Sequence, residues 1–292
     1  MTAPVIDLSP QLDDRVVRLD GLAVHYTARG PARAPLTFVG LNGLAGGADS
    51  FWPLLDGVPP DVRVLLPDLP GCGGSEPLRE RHTVEAYTGW LHRFLDEQGV
   101  DRVALISVAT GAPVAIRYSV QHPERTAGLI FSLPFLGRIA VPKWMRPVAA
   151  YALGVRALRG LVDTLRQNDA LMHRIITHEP PEAIPEMAER DIDHKQQASL
   201  RAAGELLHDL MLMDSRTELR HLHTPMLFLA AEHDAYSPLA VLQGIVRHHP
   251  ERRLYIKWGA GHSWNEEFIL AMQDEIRAFL TRLQEPGGAP TT

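Results

Sequence analysis

Hydrophobic positions along this chain follow two alternating rhythms. Short apolar runs at 36–41, 62–66, 103–108, 126–131, 226–230 and 253–256 are bounded by Gly, Pro, Asp and Asn, and predict buried strands. Between them lie segments of helical period. Val84, Tyr87, Leu91, Phe94 and Leu95 make one apolar helix face, with Thr83 as its N-cap and Gly99 as its end. A hairpin opens the chain: 16–19 and 23–26 flank the turn signal Asp20-Gly21. Asp49 or Ser50 opens a short helix at Phe51, and Pro113 falls in the first turn of the helix after 103–108, where a missing N–H costs nothing. A last helix runs from about 264 to 283. This alternation predicts an α/β fold with a doubly wound, mostly parallel sheet.

The alternation stops between Leu133 and Leu222. Helical patterns take over at 144–153, 157–165 and 170–177, and a long one spans His194 to Met213, with Pro180, Pro181 and Pro185 interrupting the run. The expected organisation is a core of 1–132 and 223–284, a helical insertion over 133–222, and a disordered Gly/Pro/Thr-rich tail over 285–292.

Composition narrows the class. A chain of 292 residues with 45% hydrophobic content buries a substantial core. A net charge of −6 and a pI near 6.1 give no reason to expect a nucleic-acid partner. The single cysteine, Cys72, cannot form an internal disulfide, and its place in a Gly turn reads as incidental. No apolar run reaches membrane-spanning length, and 1–14 has no apolar signal core, so a cytoplasmic location is the default expectation. Fourteen histidines include no H-E-x-x-H pattern and no cysteine pair, so neither a metal nor another cofactor is expected.

The chemistry concentrates at three turns. The run Ser107-Val108-Ala109-Thr110-Gly111 joins a strand to a helix in the layout G-x-S-x-G of a nucleophile elbow, but Ala109 stands at its centre and has no atom that attacks a carbonyl. The strand at 36–41 runs into Asn42-Gly43-Leu44-Ala45-Gly46-Gly47. Its glycines admit close backbone approach, and the N–H groups of Leu44 and Thr110 are the expected donors of an oxyanion hole. Asp68-Leu69-Pro70-Gly71-Cys72-Gly73-Gly74-Ser75 is no dinucleotide loop, because Glu76 stands where the third glycine belongs. Asp234 and His262 follow the strands at 226–230 and 253–256, at the carboxyl edge where such sheets bind ligands. A base needs a carboxylate to fix its tautomer, and the order nucleophile, acid, histidine is the hydrolase order.

Taken jointly, N-G-L-A-G-G, D-L-P-G-C-G-G-S, S-V-A-T-G, A-E-H-D and G-A-G-H make the chain resemble the α/β-hydrolase family over about 16–283. The resemblance departs at Asn42, where many members carry His, and at Ala109, where they carry Ser, Asp or Cys. It implies that 133–222 is a cap folded over the site. With Asn42, the cap residues Trp144, Met145, Met172 and Met211 are then the expected substrate contacts, forming an apolar, adaptable pocket. The activity implied is hydrolysis of a carboxylic ester, thioester or lactone, with Ala109 an inactivating replacement. Two alternatives stay open: a natural pseudo-enzyme that binds without turnover, and a lyase or cofactor-independent oxygenase that uses His262 and Asp234 alone. The expected partner is a small apolar acyl substrate; homodimer formation stays open.

Overall fold

The computed structural model describes residues 6–137, 167–168, 184–247 and 249–285. Eight strands form one sheet: β1 (Asp13–Leu19), β2 (Leu22–Arg29), β3 (Thr37–Leu41), β4 (Arg63–Pro67), β5 (Val103–Val108), β6 (Thr126–Ser132), β7 (Met226–Ala231) and β8 (Arg252–Lys257). Their order is β1-β2-β4-β3-β5-β6-β7-β8. The hairpin β1–β2 turns at Asp20 and Gly21, both at positive φ, and β2 pairs antiparallel with β4. Every later pairing is parallel. The fully buried runs of β3, β4, β6 and β7 reflect helices on both faces.

One face is covered by α1 (Val84–Glu97) and α2 (Ala112–Gln121), whose Tyr87, Leu91, Phe94, Val114 and Ile116 pack with Val39, Leu105 and Phe131. The other is covered by a 3-10 helix (Ala48–Gly57) and the last helix, α7 (Glu266–Gln284), through Phe51, Leu54, Met272 and Ile276. Thr83, the expected cap of α1, accepts from Ala86 N–H, and Asn265 caps α7 by accepting from Phe268 N–H. β3 has β4 on one side and β5 on the other, so the order in which the chain winds across the sheet reverses here; the crevice outside the carboxyl ends of β3 and β5 is where doubly wound sheets bind ligands.

Between β6 and β7 the described elements are α3 (Pro185–Gln197), α4 (Leu200–Leu212) and α5 (Arg216–Leu219); between β7 and β8 lies α6 (Leu239–Val246). Three local expectations are corrected. The single helix expected from His194 to Met213 is two, because Ser199 caps α4 through Ala202 N–H and gives its own N–H to Gly71 O at 2.8 Å. Pro185 does not interrupt a helix but opens α3, in the first turn where its missing N–H is harmless. The 3-10 helix starts at Ala48 after Gly47, with neither Asp49 nor Ser50 as its cap. The helical patterns at 144–153, 157–165 and 170–177, the residues Pro180 and Pro181, and the tail from 286 lie outside the described residues. No helix among the described residues is long and apolar enough to cross a membrane.

Candidate functional site

Ala109 occupies the left-handed region, at φ 44°. That backbone costs a residue with a Cβ about 1–2 kcal/mol, so the surroundings must hold it. Phe135 N–H donates to Ala109 O at 2.9 Å. Gly111 lies so close to β3 that a Cβ there would collide with the Leu41 carbonyl. α2 starts at Ala112, with Pro113 in its first turn. The methyl of Ala109 faces bare backbone: a Cβ placed on Gly43 would lie 3.6 Å from it. Ser107, two residues before, is fully buried and its hydroxyl has no hydrogen-bond partner among the described residues.

The loop after β3 lies beside this turn because Leu41 and Ser107 are paired in register. Asn42 shapes the loop. Its amide donates to Gly43 O at 3.0 Å and Gly46 O at 2.8 Å and accepts from Leu69 N–H at 3.3 Å, all with no exposure. Asn42 was expected among the substrate contacts; its side chain is instead committed to bracing the backbone. The loop's own bonds leave Leu44 N–H out, with Gly46 N–H closing onto Gly43 O at 3.1 Å and Ala45 at φ 56°. Thr110 is the second residue of the facing turn, where an N–H lacks an intrahelical acceptor.

Asp68 ties this corner to the rest of the fold. Its carboxylate accepts from Ala48 N–H at 2.7 Å and Gly74 N–H at 2.9 Å and meets His25 Nδ1 at 2.6 Å. The hydrogen bond to Asp68 raises the His25 pKa to about 9 against the opposing effect of burial, with Asp14 adding to the rise. Burial pushes the Cys72 thiol up to about 12, which leaves no thiolate near neutral pH.

Asp234 and His262 meet at the other end of the crevice. Asp234 Oδ1 accepts from Tyr236 N–H at 2.8 Å and Ser237 N–H at 3.0 Å, and Oδ2 lies 2.9 Å from His262 Nδ1. The Asp234 side chain is 0% exposed and that of His262 25%. A carboxylate on Nδ1 places the proton there and leaves Nε2 as the acceptor. Tyr236 packs edge-on against the imidazole at 4.9 Å. Two residues further, Trp264 Nε1 donates to Ser132 Oγ at 3.0 Å. The His262 loop therefore crosses β7 to the end of β6, and the segment after β6 bonds Ala109 through Phe135. Glycine loop, elbow turn, histidine and acid thus share one edge of the sheet.

Met211 is buried on α4, while Trp144, Met145 and Met172 lie outside the described residues. His233 is an exposed turn residue beside Glu232. No group of three His, Cys, Asp or Glu side chains among the described residues is arranged to hold a metal ion. Two contacts have no counterpart in the sequence reading. Ser132 with Trp264 is one. The other is His194 of α3, which pairs with Asp49 at 3.0 Å over Gly47. Burial lowers the His194 pKa, but Asp49, with Asp68 and Asp191 near, outweighs it and the net shift is upward.

A strained strand-to-helix turn, a braced glycine loop and a His–carboxylate pair at one edge of a parallel sheet define a recognisable class of α/β protein. Residues 37–268 match the family model described as alpha/beta hydrolase fold, and the chain belongs to that family. Over 129 residues it is 29% identical to the poly(3-hydroxyalkanoate) depolymerase of Ectopseudomonas oleovorans, covering 44% of this chain and 45% of that protein. Over 255 residues it is 26% identical to the biotin biosynthesis bifunctional protein BioHC of Cellvibrio japonicus, covering 82% of this chain and 47% of that one. The chain spans about half the length of these curated relatives. The enol-lactonase structure from Burkholderia xenovorans LB400 superposes with a TM-score of 0.73 at 18% identity, covering 91% of this chain and 100% of that chain, a likeness of fold.

Proposed function

We propose that this scaffold is built to hydrolyse a carboxylic ester, thioester or lactone with an apolar acyl part, and that Ala109 leaves the chain able to bind such a substrate without turning it over. His262 Nε2 is the base, Asp234 holds its tautomer, and the N–H groups of Leu44 and Thr110 receive the developing oxyanion. Residue 109 is the nucleophile position, and 133–222 is the cap that shapes the acyl pocket with Trp144, Met145, Met172 and Met211. One observation carries this reading. The His262–Asp234 pair is complete at 2.9 Å, at the same sheet edge as a turn that keeps its strained φ of 44° with alanine in place. The family's curated relatives, a depolymerase, a haloalkane dehalogenase and a dienoate hydrolase among them, support a hydrolytic role. Leu69, Tyr87, Ala202 and Leu206 face Gly43 and Leu44 around a space of only about 10 Å3, barely the room one water needs, so this reading assigns the acyl part to the cap.

The test uses the chain as it is and with one atom restored. Calorimetry with a homologous series of acyl esters should give stable binding that tightens about fourfold per added methylene until the pocket fills. Ala109→Ser should then hydrolyse the same esters. A folded Ala109→Ser protein that is inert on short and long acyl esters and thioesters would overturn the hydrolase reading.

A second reading has one observation in its favour: the base and its carboxylate are complete although no nucleophile accompanies them. Proton abstraction by His262 alone, as in a lyase or cofactor-independent oxygenase, needs nothing at 109. It requires the unaltered chain to show an activity that His262→Ala removes and Ala109→Ser does not improve.

A further inference from the structure

A cavity of about 320 Å3 lies between α5, α6 and the start of β8, and none of its lining residues belongs to the site described above. Its wall has two characters. Ala240, Val241 and Ile245 supply apolar surface and Arg216, Arg220 and His249 polar groups, while Leu219 and Arg252 adjoin the space but are themselves buried.

The charges do not cancel. Arg216 is paired with Asp214, Nε to Oδ1 at 2.8 Å. His249 Nδ1 holds Glu251 at 2.9 Å. The side chain of Arg252 is 1% exposed. It donates to the carbonyls of Leu219 at 2.6 Å, Ile245 at 2.9 Å and Leu222 at 3.0 Å, but its Nε has no hydrogen-bond partner among the described residues, and Glu251 Oε1 stands off at 3.7 Å. Arg220 is exposed and forms no ion pair with any described residue. Setting Arg216 against Asp214 and Arg252 against Glu251 leaves Arg220 as one positive charge in surplus.

A glycine lies at the open side of this space. Gly244 sits inside α6, where glycine weakens a helix, and a Cβ built on it meets nothing within 4 Å. A longer side chain there would project into room now empty. The volume is about ten times the ~30 Å3 that one water occupies in the liquid, which suits a ligand of about ten heavy atoms.

We propose that this cavity binds a small amphiphilic monoanion, a carboxylate with an aliphatic body of about eight carbons, its head on Arg220 at the rim and its body against Ala240, Val241 and Ile245. The surplus of one charge matches a monoanion better than a phosphate dianion, and the apolar wall rewards a hydrocarbon body. The inference is independent of the reading of Ala109.

Calorimetry on the full chain with octanoate, 1-octanol and inorganic phosphate tests it. Octanoate should saturate a site whose affinity is the same in His262→Ala as in the unaltered chain, at least tenfold more tightly than 1-octanol or phosphate. Arg220→Ala should weaken octanoate about tenfold, the loss of one charge-assisted hydrogen bond, and leave 1-octanol unchanged. Gly244→Leu should remove octanoate binding while the thermal midpoint holds or rises. Absence of saturable octanoate binding at millimolar concentration would overturn the proposal. So would equal binding of 1-octanol or of phosphate, or octanoate binding that neither variant changes, which would place the ligand elsewhere. Arg220 is on the surface, so its variant keeps the test valid if Gly244→Leu fails to fold.

Discussion

Two regions of the same sheet edge are held in different ways. The turn after β5 has alanine at its centre; the turns after β7 and β8 carry the bonded pair Asp234 and His262. Ala109 is fixed by backbone: Phe135 N–H on its carbonyl and the tight approach of Gly111 to β3. None of this uses the side chain at 109, so the turn keeps its conformation with a methyl at its centre. The Asp234–His262 pair is fixed by the side chains themselves. A carboxylate with no exposure is tolerable only while three hydrogen bonds satisfy it, and His262 provides one of them. The histidine cannot leave without cost to the fold, whereas a nucleophile can. A preserved dyad is accordingly weaker testimony to present activity than a preserved nucleophile.

The largest expected effect restores what the first turn lacks. Ala109→Ser should raise kcat for ester hydrolysis by a factor on the order of 10⁶, the scale of triad knockouts. In that background His262→Ala should remove the gain. Asp234→Asn should lower kcat by about 10⁴ with the fold intact, through the wrong imidazole tautomer. Steady-state kinetics on aryl esters reads all three, and an unchanged rate in both dyad variants would mean that base and acid are misassigned.

Smaller effects probe what holds each region. Asp68 braces the glycine loop and raises the His25 pKa from 6.5 to about 9. The stabilisation is therefore complete below pH 6.5 and is lost as pH climbs through 9. The thermal midpoint should fall across that window by roughly 2–4 °C, equivalent to about 1 kcal/mol after solvent screening. His25→Asn should flatten the slope; a slope that persists would assign it to other groups. The smallest effect concerns strain. Ala109→Gly should stabilise by roughly 0.5–1 kcal/mol, the relief of a left-handed alanine less the chain entropy of glycine. A neutral or negative change in denaturant unfolding would show that the elbow is not strained.

Much of this fold is written locally. Thr83, Gly99 and the Asp20-Gly21 turn act through their own backbone and neighbours, and each does in the structure what its residue type implies. What could not be read depends on partners far along the chain. The break at Ser199 needs the carbonyl of Gly71. Asp49 looks like a helix cap in sequence but faces His194, and no local pattern announces a pairing across so long a separation. Asn42 has the same character. The sequence places it among the substrate contacts, yet its amide donates to Gly43 O and Gly46 O of its own loop and its oxygen accepts from Leu69 N–H of the loop after β4. Ser132 with Trp264 joins loops from different strands, and neither residue stands out until the strand order is known.

The methyl at 109 also decides how this protein is detected. Surveys that tag hydrolases with electrophilic phosphonates report a bond to a nucleophilic oxygen. Here the turn, loop and dyad are all in place, but no atom at the centre accepts such a tag. The chain should be silent in any covalent survey and visible only to methods that read occupancy, such as ligand-induced thermal shifts.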